Sequence, residues 1–202
     1  MRAWIYDRLF YSLSRDWYRA ILSGLPEGSR VLDVGVGTGS SLISNADLVR
    51  EREMKVEGID INESYLKACQ EKLEEGALTD VISVRAQSVY DLDPDDKYDA
   101  VYFSASFMLL PDQREALKVV RRCLKPGGHV CFTQTFETKR ARLMEVIKPL
   151  LYLFTSVHFG VVTYEEPFIE QLEGEGFKLV RNEVLRIQGP REMRAVMATP
   201  EG

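Results

Sequence analysis

The chain has 202 residues, of which 45% are hydrophobic and 28% are charged, a composition typical of one water-soluble globular domain. Its formal net charge of −5 provides no overall positive field, so we expect no nucleic-acid partner. The three cysteines lack metal-ligand spacing, which predicts free thiols in a reducing compartment, the cytoplasm. The first residues carry charges without an apolar core, so we expect no secretory signal. The composition therefore predicts a single domain over residues 1–202.

The amino-terminal segment is rich in aromatic residues at helical spacing. Six of the chain's twenty aromatic residues lie between positions 4 and 18, and apolar side chains recur every three or four residues across 4–22. This pattern predicts a helix within residues 1–24. The helix either packs on the domain or forms a lid that offers aromatic faces to a cation or a flat ring, and the two alternatives overlap.

The stretch from Val31 to Ser40 is the most informative in the chain. An apolar run, Val31 to Val34, is typical of a buried parallel strand, and glycines follow it at every second position. Glycines here permit a sharp turn, a close approach of the backbone to a ligand, and close packing of the next helix. These glycines are Gly35, Gly37 and Gly39. The stretch predicts a strand–turn–helix loop that binds a nucleotide-containing ligand, although many small ligands use such loops.

The remainder of the chain alternates between strand-like and helix-like segments. Strand patterns cover 55–60, 81–85, 98–103 and 129–133, and helix patterns cover 41–52, 62–75, 111–124 and 163–174. The alternation predicts a parallel sheet with helices on both faces. Two closing strands, at 177–180 and 195–198, are expected to pair antiparallel across Gly189 and Pro190.

Two segments depart from this alternation. Within 138–165, the uncharged part is 149–164, which is 16 residues long and too short for a confident membrane span. We expect this segment to be an insertion that covers the ligand mouth, with a peripheral membrane contact as the alternative. The acidic tract 91–96 surrounds a proline without an apolar anchor, so we interpret it as a solvated connection and expect no metal site.

Five signals in this order resemble the class I S-adenosylmethionine-dependent methyltransferase family over nearly the whole chain. They are Val31–Gly39, Ile59–Asp60, Ala86–Ser88, Tyr98–Val101 and Leu124–Gly128. The resemblance implies an α/β fold: a Rossmann-like, mostly parallel seven-stranded sheet with helices on both faces and a C-terminal antiparallel hairpin. It also implies S-adenosyl-L-methionine as cofactor and S-adenosyl-L-homocysteine as product. The glycine loop and the aromatic amino terminus resemble those of phospholipid-amine and quinone methyltransferases.

The resemblance also implies cofactor-binding positions. Asp33 would hold the methionine ammonium group, directly or through water. Asp60 would accept hydrogen bonds from the ribose hydroxyls, and Ile61 would lie beside the adenine. Gln87 would accept from the adenine amino group, at a position where many relatives have Asp. The remaining positions are Gly35 and Gly37 beside the methionine and ribose, Ser88 as a backbone donor, Ser104 near the methyl group, and Tyr11 in the lid.

The end of the fourth strand, Phe103–Ser106, lacks the Asn/Asp-Pro-Pro-aromatic motif of enzymes that methylate amino groups of nucleobases or glutamine. Variants that act on nucleic acids are therefore disfavoured, and the compact length and acidic charge predict a small-molecule substrate of apolar or amphipathic character. The residues that would wall its pocket are Trp17, Phe107, Met108, Phe136 and Tyr164. His158, in the covering insertion, is a candidate general base because histidine titrates near neutral pH. The catalytic residues are otherwise unassigned.

Other functions are compatible with the same pattern. A protein methyltransferase is the second enzyme hypothesis, and a non-catalytic S-adenosylmethionine-binding partner subunit is the hypothesis from another class. A dinucleotide oxidoreductase is disfavoured because no hydride-transfer constellation of His, Lys or Tyr follows the fold pattern. The sequence leaves open the methyl acceptor, the atom methylated and the oligomeric state.

Overall fold

The computed structural model describes residues 15–138 and 162–201, in which strands and helices alternate. The strands are β1 (Arg30–Val34), β2 (Lys55–Asp60), β3 (Ile82–Ala86), β4 (Tyr98–Ser104), β5 (Leu124–Glu137), β6 (Phe177–Gln188) and β7 (Arg191–Pro200). The helices are α1 (described over 15–22), α2 (Ser40–Ile43), α3 (Ala46–Glu51), α4 (Glu63–Glu75), α5 (Gln113–Cys123) and α6 (Glu165–Gly174).

The seven described strands form one sheet in the order β3-β2-β1-β4-β5-β7-β6. Pairing is parallel from β3 to β5, whereas β7 runs antiparallel to both β5 and β6. The chain builds outward from β1 to β3 and then returns to β4 on the other side of β1. Such a reversal leaves a crevice at the carboxyl ends of the two central strands. The sheet confirms the predicted fold class, including the C-terminal antiparallel hairpin.

Side chains of β4 divide between two buried clusters, one on each face of the sheet. Val101 and Phe103 belong to the cluster that includes residues of α5 and α6. Ala100 and Tyr102 belong to the cluster that includes residues of α1, α3 and α4. Both faces of the central strands are therefore buried, as parallel strands require.

The closing hairpin is much longer than the sequence pattern predicts. Its strands cover Phe177–Gln188 and Arg191–Pro200, joined at Gly189, whose φ of +60° suits glycine. Because β6 is an edge strand, most of its side chains are exposed or half-buried, and charged residues interrupt the apolar alternation there. The turn position was correctly predicted, whereas the strand lengths were not.

The single helix predicted over 41–52 was wrong, because the structure has two short helices, α2 and α3, in its place. The buried Asn45 lies between them, and its Nδ2 donates to the carbonyl oxygens of Ser41 at 2.8 Å and Arg15 at 3.0 Å. Ser44 Oγ donates to the Ser40 carbonyl at 2.7 Å. Side-chain bonds of this kind compete with the helical backbone pattern. They end α2 early and tie the loop to α1.

Most of the predicted lid (1–24) and of the covering insertion (138–165) lies outside the described residues, so both stay predictions. The described part of the lid is α1, which buries Tyr18, Ile21 and Leu22 against the sheet. Within 15–138 and 162–201, no helix is long and apolar enough to span a membrane.

Candidate functional site

The residues that the sequence assigns to the cofactor lie at the carboxyl ends of four strands. Asp33, Gly35 and Gly37 are at the end of β1, Asp60 and Ile61 at the end of β2, Gln87 and Ser88 after β3, and Ser104 at the end of β4. These strands are neighbours in the order β3-β2-β1-β4, so the residues form a row across the crevice. Two assigned residues, Tyr11 and His158, lie outside the described residues.

The glycine loop after β1 uses two of its glycines differently. Gly35 and Gly37 have φ of +78° and +58°, a region that favours glycine. A Cβ on Gly35 would lie 2.6 Å from the Cβ of Ser106, so this glycine lets the loop pack against the segment after β4. No described heavy atom lies within 4 Å of a Cβ built on Gly37. Gly37 therefore sustains the turn without a close contact among the described residues.

Asp60 joins the glycine loop to the end of β2. Its Oδ2 accepts a hydrogen bond from the Gly37 amide at 2.9 Å, and its Oδ1 accepts one from the Asn62 amide at 2.8 Å. A carboxylate oxygen can accept a second hydrogen bond, so the half-buried Asp60 retains acceptor capacity. The next side chain, Ile61, is 80% exposed. This arrangement offers an anionic acceptor beside an apolar surface.

Asp33 carries a fully buried carboxyl group on β1. The Tyr18 hydroxyl donates to Asp33 Oδ2 at 2.6 Å, whereas Oδ1 has no partner within the described part of the chain. Burial raises the pKa of Asp33 to about 7, the Tyr18 hydrogen bond opposes the rise, and the nearby Asp60 adds to it. A buried acceptor without a donor is costly. Oδ1 thus fits a cationic donor such as an ammonium group.

Gln87 and Ser88 follow β3 and are held by local hydrogen bonds. Gln87 donates from Nε2 to the Asp91 carbonyl at 2.7 Å, which leaves its buried Oε1 without a partner among the described residues. Ser88 Oγ accepts from the Tyr90 amide at 3.3 Å. The Gln87 acceptor is compatible with the predicted contact to an adenine amino group.

Ser104 takes part in a line of hydroxyl groups behind the crevice. Burial raises the pKa of both Tyr18 and Tyr102, and the neighbouring Ser104 side chain opposes that rise at each phenol. The Tyr102 hydroxyl lies 2.6 Å from Thr133 Oγ1. Because Tyr18 also donates to Asp33, these groups connect β1, β4 and β5 through buried hydrogen bonds.

Sequence reasoning missed residues that shape the loop from a distance. A Cβ on Gly58 would lie 2.9 Å from Val36 Cγ1, so this glycine lets the loop lie on β2. The sequence contained a signal for Gly58, since a glycine inside a strand often marks a place where another part of the chain approaches the backbone closely. Lys72 Nζ donates to Ser40 Oγ at 2.7 Å and to the Thr38 carbonyl at 3.2 Å. Lys72 is 32 residues from Ser40, and no local pattern announces that contact.

The residues assigned to the substrate pocket are divided by the sheet. Phe107 and Phe136 lie in one buried aromatic cluster, with ring centroids 5.9 Å and 5.3 Å from that of Phe168. Trp17 is buried on α1, whose other inward residues pack on the opposite face. Met108 is half-buried after β4, and Tyr164 is half-buried immediately before α6. Contact with a substrate stays a prediction for all five.

The part of the chain that the structure describes contains no group of three or more His, Cys, Asp or Glu side chains that could hold a metal ion. In the acidic tract, Asp96 lies within ion-pair distance of Arg30, at 3.3 Å, and of Arg85, at 3.5 Å. This carboxylate is thus engaged by arginines on β1 and β3.

Comparison with known proteins agrees with the geometry. Residues 31–128 match the family model described as a methyltransferase domain. A ubiquinone/menaquinone biosynthesis C-methyltransferase of Serratia proteamaculans is 33% identical over 148 residues, which cover 72% of this chain and 54% of that protein. The chain therefore spans about half the length of the relative.

Solved structures of low sequence identity share the fold. A geranyl diphosphate C-methyltransferase from Streptomyces coelicolor A3(2) aligns with a TM-score of 0.73 at 14% identity, covering 94% of this chain and 78% of that one. A magnesium protoporphyrin IX methyltransferase from Synechocystis PCC 6803 aligns with a TM-score of 0.68 at 20% identity, covering 96% and 85%. At these identities the likeness concerns the fold alone.

Proposed function

Because the chain belongs to the class I S-adenosylmethionine-dependent methyltransferase family, we propose that it transfers a methyl group from S-adenosylmethionine to a small apolar or amphipathic acceptor. We also infer that it acts in the cytoplasm, which the three free cysteines favour. The observation that carries the proposal is the row at the carboxyl edge: a glycine turn held by Asp60, next to a buried Asp33 with an unused oxygen.

Each group in this row has a complementary part of the cofactor. Asp33 Oδ1 would accept from the ammonium group, and Asp60 would accept from the ribose hydroxyls with its remaining lone pairs. Ile61 would lose its exposure against the adenine ring, and Gln87 Oε1 would accept from the adenine amino group. These four side chains would recognise the whole cofactor.

The bound cofactor supplies a methyl group that is already activated. The chain's own contribution is then to position the acceptor and to exclude water from the crevice, which can contribute several kcal/mol. We expect the buried aromatic cluster that contains Phe107 and Phe136, on one face of β4 and β5, to supply an apolar wall for the acceptor. Such a wall favours an apolar acceptor over a charged one.

Calorimetric titration with S-adenosylmethionine and S-adenosylhomocysteine tests the proposal, and we expect binding in the micromolar range for both. Binding of NAD in their place would refute it. A metabolite library screened for S-adenosylhomocysteine release then identifies the acceptor. Transfer of labelled methyl groups into proteins of a cell extract, rather than into small molecules, would instead support protein methylation.

A further inference from the structure

Gln134 on β5 is a buried side chain with a polar amide group. It is 1% exposed, and neither Oε1 nor Nε2 has a hydrogen-bond partner among the residues that the structure describes. Burial of an unsatisfied amide opposes folding, since both atoms lose their hydrogen bonds to water. A group that accepts from Nε2 and donates to Oε1 would remove this cost.

The position of Gln134 is set by the register of the sheet. Its neighbour Thr133 is paired with Ser104 at the end of β4, and the Thr133 carbonyl accepts from the Ala105 amide at 2.8 Å. Gln134 therefore directly follows the last β5 residue that is paired with β4. This places it at the edge of the sheet where the cofactor row is found. Side chains alternate along a strand, so Gln134 shares a face with Phe132 and Phe136 and not with Thr133.

The surroundings of Gln134 on that face are aromatic. Phe132 and Phe136 both contact Phe168, at centroid distances of 5.1 Å and 5.3 Å, and Phe107 lies 4.9 Å from Phe132. A neutral amide among phenyl rings can orient a ligand, because the rings provide contact area and the amide provides direction.

The cross-strand neighbour of Gln134 is Arg194, whose charge is engaged elsewhere. Its guanidinium forms ion pairs with Glu165 and Glu192 and donates to Asn182 Oδ1 at 3.1 Å. A charged ligand group next to Gln134 would therefore meet an arginine that is already neutralised. The site suits a neutral polar group.

We propose that Gln134 is a specificity-determining residue that recognises a hydroxyl or carbonyl oxygen on an otherwise apolar acceptor. This inference rests on the proposed methyl transfer and names the polar group that the acceptor carries. Nε2 donates to the oxygen, and Oε1 accepts from a hydroxyl hydrogen when one is present. The aromatic cluster contacts the apolar part of the same molecule.

Equilibrium dialysis of the protein saturated with S-adenosylhomocysteine tests the assignment with two probes, 2-naphthol and 2-methylnaphthalene. The probes have nearly the same size and differ in one hydroxyl group. We expect the wild type to bind 2-naphthol roughly tenfold more tightly, the ratio that one hydrogen bond to a buried amide provides. In Gln134→Met, which keeps the side-chain length, we expect the ratio to fall to about one.

Gln188→Met is the matched control, since Gln188 is exposed at the end of β6, and it should keep the wild-type ratio. Because Gln134→Met removes an unsatisfied amide, we expect its thermal midpoint to stay the same or rise. Equal binding of both probes by the wild type, or an unchanged ratio in Gln134→Met, would overturn the assignment. S-adenosylhomocysteine is titrated separately into the same protein preparations, and failure of the wild type to bind it would refute the proposed function instead. Gln134→Asn, which shortens the amide, replaces the Met variant if the latter does not fold.

Discussion

At the amino side of the sheet, a cluster of charged groups around Glu57 is paired, whereas at the carboxyl edge two buried acceptors have no partner in the described part of the chain. Arg30 Nη2 lies 3.2 Å from Glu57 Oε2, which also accepts from the Tyr98 hydroxyl at 3.0 Å. By contrast, Asp33 Oδ1 and Gln87 Oε1 are buried and have no partner within 15–138 and 162–201. The paired groups at the amino side thus contribute to stability, whereas the unpaired acceptors at the carboxyl edge oppose it, as we expect of atoms that a bound cofactor would satisfy.

Asp33 provides the strongest test of this contrast, through opposite effects of pH on stability and on cofactor affinity. Its pKa in the native protein is about 7, above the ordinary value of 3.8. Between these values the native state holds a proton that the unfolded state has released, so the free energy of unfolding should fall as pH rises from 4 to 7. The expected loss is on the order of 4 kcal/mol, measured by urea unfolding across that range.

Cofactor affinity should change in the other direction, because the carboxylate form of Asp33 accepts from the ammonium group. We expect calorimetry to show affinity for S-adenosylhomocysteine rising about 20-fold from pH 5.5 to 7.5 and then levelling. Asp33→Asn keeps an acceptor for Tyr18 and should remove both pH dependences. A pH-independent affinity in the wild type would contradict the assigned contact.

Asp60 provides the second test, at the point where the glycine loop meets β2. Asp60→Ala removes the acceptor of the Gly37 amide and the predicted acceptor of the ribose hydroxyls. Hydrogen bonds to a charged group are strong, so we expect about a 100-fold loss of S-adenosylhomocysteine affinity by calorimetry. Asp80→Ala, at an exposed carboxylate before β3, is the control and should bind normally. Equal affinities of the two variants would remove Asp60 from the site.

Glu57 tests the amino side of the comparison. Its side chain is 17% exposed and pairs with Arg30 and Arg85, both of which are 40% exposed. Glu57→Gln removes the charge from this cluster, and solvent screening at the arginines limits the expected cost to about 1–2 kcal/mol of unfolding free energy. S-adenosylhomocysteine affinity, measured by calorimetry, should stay at the wild-type value. A large loss of affinity would contradict the assignment of stability to the amino side and of cofactor binding to the carboxyl edge.

The proximity of the predicted cofactor residues could be inferred from the sequence because their signals are local. Gly35 and Gly37 follow their strand directly, and Asp60 ends the next one, so the order of the motifs already implies their proximity in a parallel sheet. The two faces of the sheet follow from the same alternation. Local sequence patterns therefore suffice to predict which residues meet when those residues lie at the ends of adjacent parallel strands.

Contacts between distant segments were not predictable in the same way. Tyr18 reaches Asp33 only because α1 packs on the face of the sheet where Asp33 lies, and Lys72 reaches Ser40 across the packing of α4 against α2. In the sequence, Gln134 is an ordinary strand residue, and only the structure shows that its buried amide has no partner among the described residues. These contacts depend on tertiary packing, which the periodicity of apolar residues in the sequence does not predict.

Ile61 gives the smallest expected effect and the most selective one. Its side chain is 80% exposed, so Ile61→Ala should leave the free energy of unfolding nearly unchanged. If adenine covers this side chain, the variant loses about 1 kcal/mol of apolar contact, roughly a fivefold drop in S-adenosylhomocysteine affinity by calorimetry. Ile187→Ala, at a 67% exposed isoleucine on β6, should change neither quantity. Equal affinities of the two variants would place the adenine away from Ile61, while an affinity loss confined to Ile61→Ala extends the carboxyl-edge site past Asp60.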